Sequence, residues 1–293
     1  MFAFSARHRL AGLVVGAALV ITGTGLVAPA AQASTPAVAA PVAPRLSAVT
    51  LASTIKLNNC SAGLVRYPTS KSTDRAMMLT NGHCYEGGFL NAGQVLVNKS
   101  SSRTGTLLSA SGSSLATVHA DLILYATMTG TDVTLYRLTS TFAQLTSSTG
   151  ATALTLSASH PVDGHAISIP SSYWKTVYSC AIHGFVGTLR ESSWTWHDSI
   201  RYQFPASSCQ TIGGTSGSPI IDNSTGQQVG INNTSNENGE SCTLDNPCEV
   251  NADGSITVVQ GQNYGQETYW FNTCLSATNA IDLTKSGCLL TKP

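Results

Sequence analysis

The run Gly213-Gly214-Thr215-Ser216-Gly217-Ser218-Pro219 sets one serine among glycines and closes on a proline. Small neighbours let a substrate backbone approach. Glycine also tolerates the strained backbone that aims successive N–H groups at one point. Acyl transfer needs both a hydroxyl nucleophile and an oxyanion hole built from its own loop. The nucleophile needs a base, and the base an orienting acid. His83 lies in Met78-Leu79-Thr80-Asn81-Gly82-His83-Cys84, where an apolar strand runs into a small-residue turn and a cysteine that can clamp it. Two acids compete. Asp132 opens Asp132-Val133-Thr134-Leu135-Tyr136-Arg137-Leu138, and Asp121 opens a similar run, Leu122-Ile123-Leu124-Tyr125. The residues favour Asp132 and leave Asp121 open. The plain alternatives are a Gly/Ser turn, a strand-end histidine and turn aspartates bonded to their own backbone.

These residues need a scaffold, and the scaffold reads as all-β. Strong helix formers are sparse, while Ser, Thr, Gly and Asn are plentiful. Strand-like runs occupy 62–67, 76–80, 94–98, 104–109, 115–119, 122–127 and 133–138. A polar stretch, 139–150, interrupts. A second set follows at 152–156, 165–169, 179–186, 195–204, 219–222, 228–232, 256–260 and 268–275. Many short strands between turn clusters indicate a sandwich or barrel, and two sets joined by a linker predict two barrels, about 55–145 and 150–293. A short C-terminal helical piece is expected near 277–283. No solenoid repeat is visible.

The chain has 293 residues, 10% charged, with a formal net charge of zero. That balance gives no electrostatic reason to expect nucleic acid or an anionic membrane as partner. Arg7, His8 and Arg9 precede an uncharged apolar run, Ala11 to Val27, and then Ala31-Gln32-Ala33. This is the pattern of a cleaved signal peptide, 1–33, rather than a membrane anchor. A leader rich in Ala, Pro, Val and Ser, 34–54, has no core of its own and reads as flexible linker or short propeptide. The remainder, 55–293, is one catalytic unit by this reading. Export makes the eight cysteines an expected set of four disulfides: Cys60, Cys84, Cys180, Cys209, Cys242, Cys248, Cys274 and Cys288. Sequential pairing is the simplest arrangement, though sequence does not fix it. No CxxC pair occurs and the histidines are scattered, so no zinc site is expected.

The order His83, Asp132, Ser216, with these flanks, resembles the chymotrypsin-like (trypsin-fold) serine peptidases. Leu79-Thr80-Asn81-Gly82-His83-Cys84 is similar to that family's histidine block, and Thr131-Asp132-Val133-Thr134-Leu135-Tyr136-Arg137-Leu138 to its aspartate block. The second match decides for Asp132 over Asp121. Gly214-Thr215-Ser216-Gly217-Ser218-Pro219 resembles the serine block, and Val229-Gly230-Ile231 the strand beside the specificity pocket. The resemblance covers about Cys60 to the chain end. It implies two six-stranded antiparallel β-barrels with the site in the cleft between them. It implies a His83–Asp132–Ser216 triad, an oxyanion hole from the N–H groups of Gly214 and Ser216, and a Cys60–Cys84 bridge. It implies catalysis without metal or organic cofactor. The expected protein is a secreted, monomeric serine endopeptidase acting on protein or peptide substrates, away from nucleic acid and, after signal removal, from the membrane.

Thr215 stands where the family usually has an aspartate, and an Ile-Val-Gly-Gly start is absent. Activation by insertion of a new N-terminus is therefore not expected. The Ser-Gly-Ser-Pro ending is similar to bacterial glutamyl endopeptidases. However, Asn232 and Asn233 follow Gly230-Ile231 where that branch carries a histidine, which argues against a glutamate preference. Gln210, Thr211 and Ile212 are expected at the pocket base, and Asn232 to Ser235, including Asn233, along one wall. These walls read as polar and neutral, without a counter-charge for Lys or Arg. An α/β-hydrolase lipase would need glycine where Ser218 stands and the opposite chain order. A non-catalytic binder of the same fold would be favoured by loss of a triad residue, and none is lost.

Overall fold

The computed structural model describes residues 48–293. The signal-like segment and the leader as far as residue 47 lie outside the described residues. The first barrel is built from β1 (Thr54–Lys56), β2 (Ser61–Arg66), β3 (Arg75–Thr80), β4 (Val95–Ser100), β5 (Thr104–Leu108), β6 (Ser114–Thr127) and β7 (Val133–Thr141). The antiparallel order is β1-β5-β6-β7-β3-β2, and pairing of β1 with β2 closes the ring of six. Leu64 pairs with Met78 and Met78 with Tyr136, so these three share one face of the sheet; Leu79 and Leu135 pair on the opposite face, and all five are buried. The expected break between 119 and 122 is a bulge within one long strand. Ala120 pairs with Leu138 and Leu122 with Arg137, so Asp121 is the extra residue. β5 pairs with the first half of β6 and β4 with the second.

The interrupting polar stretch is a helix, α1 (Phe142–Thr149). Thr141 accepts from the Gln144 N–H while the Gln144 side chain bonds back to Thr141, a capping box. Gly150 ends the helix in the left-handed conformation. Phe142 and Leu145 face the first core. β8 (Leu154–Thr155) then runs parallel to β2.

The second set of strands is β9 (Ala166–Ser171), β10 (Thr176–Val186), β11 (Leu189–Glu191), β12 (Trp194–Trp196), β13 (Ser199–Tyr202), β14 (Pro219–Asp222), β15 (Gln228–Ser235), β16 (Cys248–Val250), β17 (Ile256–Thr257) and β18 (Asn263–Glu267). The order β9-β10-β13-β18-β15-β14 closes through β14 and β9 into the second six-stranded antiparallel barrel. Ile167, Ile169, Ile182, Ile200, Ile220 and Val229 make its core. β12, β11, β16 and β17 form a separate small antiparallel sheet. The expected strand 195–204 is therefore split between that sheet and the barrel.

The chain end departs from expectation. The run 268–275 is not a strand; it holds α2 (Tyr269–Thr273). The segment 277–283 makes turns and a bridge, not a helix. Trp270 and Phe271 return to the first core, where Phe271 meets Tyr125 edge-on at 6.1 Å. The cysteines pair sequentially: Cys60–Cys84, Cys180–Cys209, Cys242–Cys248 and Cys274–Cys288. Among the described residues no helix is long and apolar enough to cross a membrane.

Candidate active site

β3 delivers His83. The strand ends at Thr80, and a single 3-10 turn, Gly82–Cys84, carries the imidazole out of the core. The Cys60–Cys84 disulfide ties that turn to the chain just before β2. Asp132 sits immediately before β7 and is fully buried. Its Oδ2 is 2.7 Å from His83 Nδ1, and its Oδ1 accepts from the His83 backbone N–H at 3.0 Å. One carboxylate thus fixes both the ring and the backbone of the histidine. Asn81 Nδ2 donates to the Asp132 carbonyl at 2.9 Å, locking the two turns together. Asp121 is elsewhere, on the surface, paired with Arg75 and Arg137.

Burial works against the charged form of His83, but Asp132, through its charge and hydrogen bond, with smaller help from Glu191 and Asp245, raises the pKa above its ordinary value. The Asp132 bond places a proton on Nδ1 in the neutral ring, which leaves Nε2 as the basic nitrogen. His83 keeps 20% of its side chain accessible. Both properties suit a group that must take up and return a proton.

The serine loop is seated against the first barrel. The Ser216 carbonyl accepts from the Ser61 N–H at 2.8 Å, and the Gly217 N–H donates to the Asn232 carbonyl at 2.9 Å. Gly217 has φ +77°, and a Cβ there would lie 2.1 Å from Thr80 Oγ1 and 2.2 Å from the Ser61 oxygen. Only glycine allows this approach. Gly214 has φ +87° and lies against the rings of Tyr173 and Trp174. Trp174 Nε1 donates to the Gly213 carbonyl at 2.7 Å, and Ser61 Oγ reaches the Gly214 carbonyl at 3.4 Å. Among the described residues, no group accepts from the N–H of Gly214 or of Ser216. The Ser216 hydroxyl lies in the same cleft as His83 and Asp132, and donates to the Asn233 carbonyl at 3.3 Å. Thr215 is fully buried, and its hydroxyl has no partner among the described residues.

Of the expected pocket residues, Thr211, Ile212, Asn232 and Asn233 line this cleft, as do Thr234 and Ser235. Gln210 is exposed and is not among the lining residues. The cleft is not neutral, contrary to the sequence reading. Glu191, Glu237 and Asp245 also line it. Glu191 comes from β11, in the small sheet that the strand pattern does not reveal. Its Oε2 accepts from Thr234 Oγ1 at 2.6 Å and its Oε1 from the Asp245 N–H at 3.0 Å. Burial raises its pKa to about 7 despite these bonds. Phe89 and Trp194, meeting edge-on at 5.6 Å, add an apolar side. The Cys242–Cys248 disulfide closes the loop that carries Asp245. Cys60 and Cys84 lie beside His83, but the disulfide occupies both sulfurs, leaving no donor set for a metal there.

The model of the trypsin-like peptidase domain matches residues 63–231, more than half of the chain. The chain belongs to the trypsin-like peptidase domain family. No curated protein matches it. Among solved structures this trypsin-like peptidase domain is similar to the MamO protease domain from Magnetospirillum magneticum, with 11% identity, TM-score 0.44, 74% of this chain and 93% of that chain covered. It is also similar to the active form of Rv3671c protease from M. tuberculosis, with 14% identity, TM-score 0.43, 83% of this chain and 84% of that one. Nocardiopsis protease is similar at 16% identity and TM-score 0.40, with 73% and 88% covered.

Proposed function

We propose that this trypsin-like peptidase domain is a secreted serine endopeptidase that cleaves peptide bonds through an acyl-enzyme. The observation that carries the reading is the 2.7 Å contact between His83 Nδ1 and Asp132 Oδ2 in the cleft that also holds Ser216. In this reading Ser216 Oγ attacks the scissile carbonyl while His83 Nε2 takes its proton. Asp132 stabilises the resulting imidazolium. The N–H groups of Gly214 and Ser216 receive the oxyanion. His83 then protonates the leaving amine, and water repeats the sequence to release the acid. The chemistry is carried by these side chains and two backbone amides.

The Ser-Gly-Ser-Pro ending resembles that of the glutamyl endopeptidase branch, but the cleft argues for a different substrate. Glu237 and Asp245, joined by Glu191 once pH exceeds about 7, repel an acidic side chain and attract a basic one. The four disulfides fit an oxidising, extracellular setting, in keeping with the signal-like start. Buried, uncharged Thr215 offers no partner for a freed N-terminal amine, so the loop is proposed to reach its working shape without one. The test is treatment with a fluorophosphonate, followed by peptide mass mapping. One adduct at Ser216, absent when His83 is replaced by Ala, supports the reading. No adduct on a folded chain refutes it.

A further inference from the structure

A second cluster of donors lies outside the cleft. His160, in the loop before β9, directs Nε2 at Glu267 Oε1, 3.0 Å away, and at Asp198 Oδ2, 3.2 Å away. Asp198 is in the turn between β12 and β13, and Glu267 ends β18. Three segments distant in sequence therefore bring one imidazole nitrogen and two carboxylates to one point. β18 separates this point from the catalytic cleft. Asn263 at its other end bonds Thr211 in the cleft, and five residues of strand span about 13 Å.

Two features make this more than a surface group of acids. The other ring nitrogen, Nδ1, is 2.6 Å from the Pro161 carbonyl, an oxygen that can only accept. Nδ1 must therefore carry a proton, and in the neutral ring Nε2 turns a lone pair toward the two carboxylates. A lone pair facing two carboxyl groups is balanced by a cation between them, either a shared proton or a metal ion. A backbone carbonyl behind the far ring nitrogen is the usual support of a metal-ligating histidine. The second feature is Glu267. It is 3% exposed, and neither of its oxygens makes a well-aligned hydrogen bond with any described residue. Trp270 brings an indole N–H beside this carboxyl, but the pair is not well aligned, which leaves both oxygens open toward the second carboxyl and the imidazole nitrogen.

We propose that His160, Asp198 and Glu267 bind a divalent first-row metal ion, with Zn2+ the best match to one imidazole and two carboxylates. Metal–nitrogen and metal–oxygen bonds of about 2.0–2.2 Å put neighbouring ligand atoms about 2.8–3.1 Å apart at octahedral angles and about 3.3–3.6 Å apart at tetrahedral ones, a range in which the 3.0 and 3.2 Å separations of this cluster lie, or which they reach with small side-chain shifts. His160 is the accessible side of the site, with 40% of its side chain exposed, which leaves an entry path and room for water as a further ligand. Phe185 and Tyr269 flank the ring at 4.2 and 5.4 Å and hold its orientation. The ion would tie the loop before β9 and the turn before β13 to the end of β18, a structural role that requires nothing of Ser216.

The test uses the full mature chain carrying Ser216→Ala, so that self-cleavage does not intervene. After incubation with Zn2+ and dialysis at about pH 7.5, elemental analysis should find one Zn2+ per chain. At a hundredfold excess over its dissociation constant, Zn2+ should raise the melting temperature by at least about 5 °C. Both effects should vanish in His160→Gln, which alters a partly exposed ligand without disturbing the core. Co2+ loaded in place of Zn2+ should give visible d–d absorption that His160→Gln abolishes. Glu267→Gln should weaken Zn2+ retention in the same direction. If the Ser216→Ala chain and its His160→Gln derivative hold equal Zn2+ and show equal melting shifts, the metal site is wrong. In that case a proton shared among the three side chains accounts for the cluster.

Discussion

The indole N–H of Trp174 donates to the carbonyl oxygen of Gly213 across 2.7 Å. In a trans peptide the carbonyl and the following N–H point in opposite directions, so holding the Gly213 oxygen aims the Gly214 N–H away from Trp174. Ser61 Oγ holds the next carbonyl, that of Gly214. The loop proposed to hold the oxyanion is thus set by neutral hydrogen bonds rather than by an ion pair at position 215. Trp174→Phe keeps a ring but loses the donor. The expected result is a kcat lower by about tenfold with KM within about twofold, since full loss of a hole donor costs about 100-fold or more. Steady-state kinetics on a peptide ester check this.

The acid limb of activity should reflect His83. Its pKa lies above the usual 6.5, because Asp132, Glu191 and Asp245 together outweigh burial. kcat/KM should therefore fall as pH drops, with a midpoint above about 6.5. Asp245→Asn removes one of the raising charges and should move that midpoint to lower pH. A pH–rate profile of parent and variant reads the shift.

Glu191 should mark the stability curve. Burial is the main cause of its rise from 4.5 to about 7. The folded chain holds this proton more tightly than the unfolded one. The associated stability is complete below about pH 4.5 and lost as pH rises through about 7, by roughly 3 kcal/mol. Glu191→Gln cannot ionise and should escape that loss. Urea denaturation of parent and variant at pH 4.5 and 7.5 should show their difference moving in favour of the variant.

Gly217→Ala should be strongly destabilising. The residue has φ +77°, and the new methyl group would collide with Thr80 and Ser61 across the barrel boundary. A loss on the order of 3 kcal/mol is expected, read as a lower denaturation midpoint. Gly213→Ala offers the control, because nothing lies within 4 Å of a Cβ there and its φ is not in the left-handed region.

Legibility followed the range of the interactions. The two barrels show in the sequence because a strand's alternation is local and the turn residues between strands are distinctive. His83 and Asp132 show because each sits where an apolar strand meets a turn. α1 was also legible in principle. Thr141, Gln144 and Gly150 are its cap residues, though the polar stretch around them reads as linker. Glu191 was not legible, since its strand is three residues long and reaches the cleft only through a separate sheet. Trp174 likewise carries no local sign of its bond to Gly213, 39 positions away. The histidines are scattered along the chain, yet His160 meets Asp198 and Glu267 through folding alone. The chain end misread strand for helix because Tyr269-Trp270-Phe271 has strand-like composition while packing as α2 against the first core.

The central claim is that Ser216, served by His83 and Asp132, is the nucleophile. The most direct measurement is hydrolysis of casein by the parent chain and by Ser216→Ala, with circular dichroism showing that both are folded. The expected result is turnover by the parent and a loss of at least about 10,000-fold in the variant. A folded Ser216→Ala chain that cleaves casein at the parental rate would contradict it.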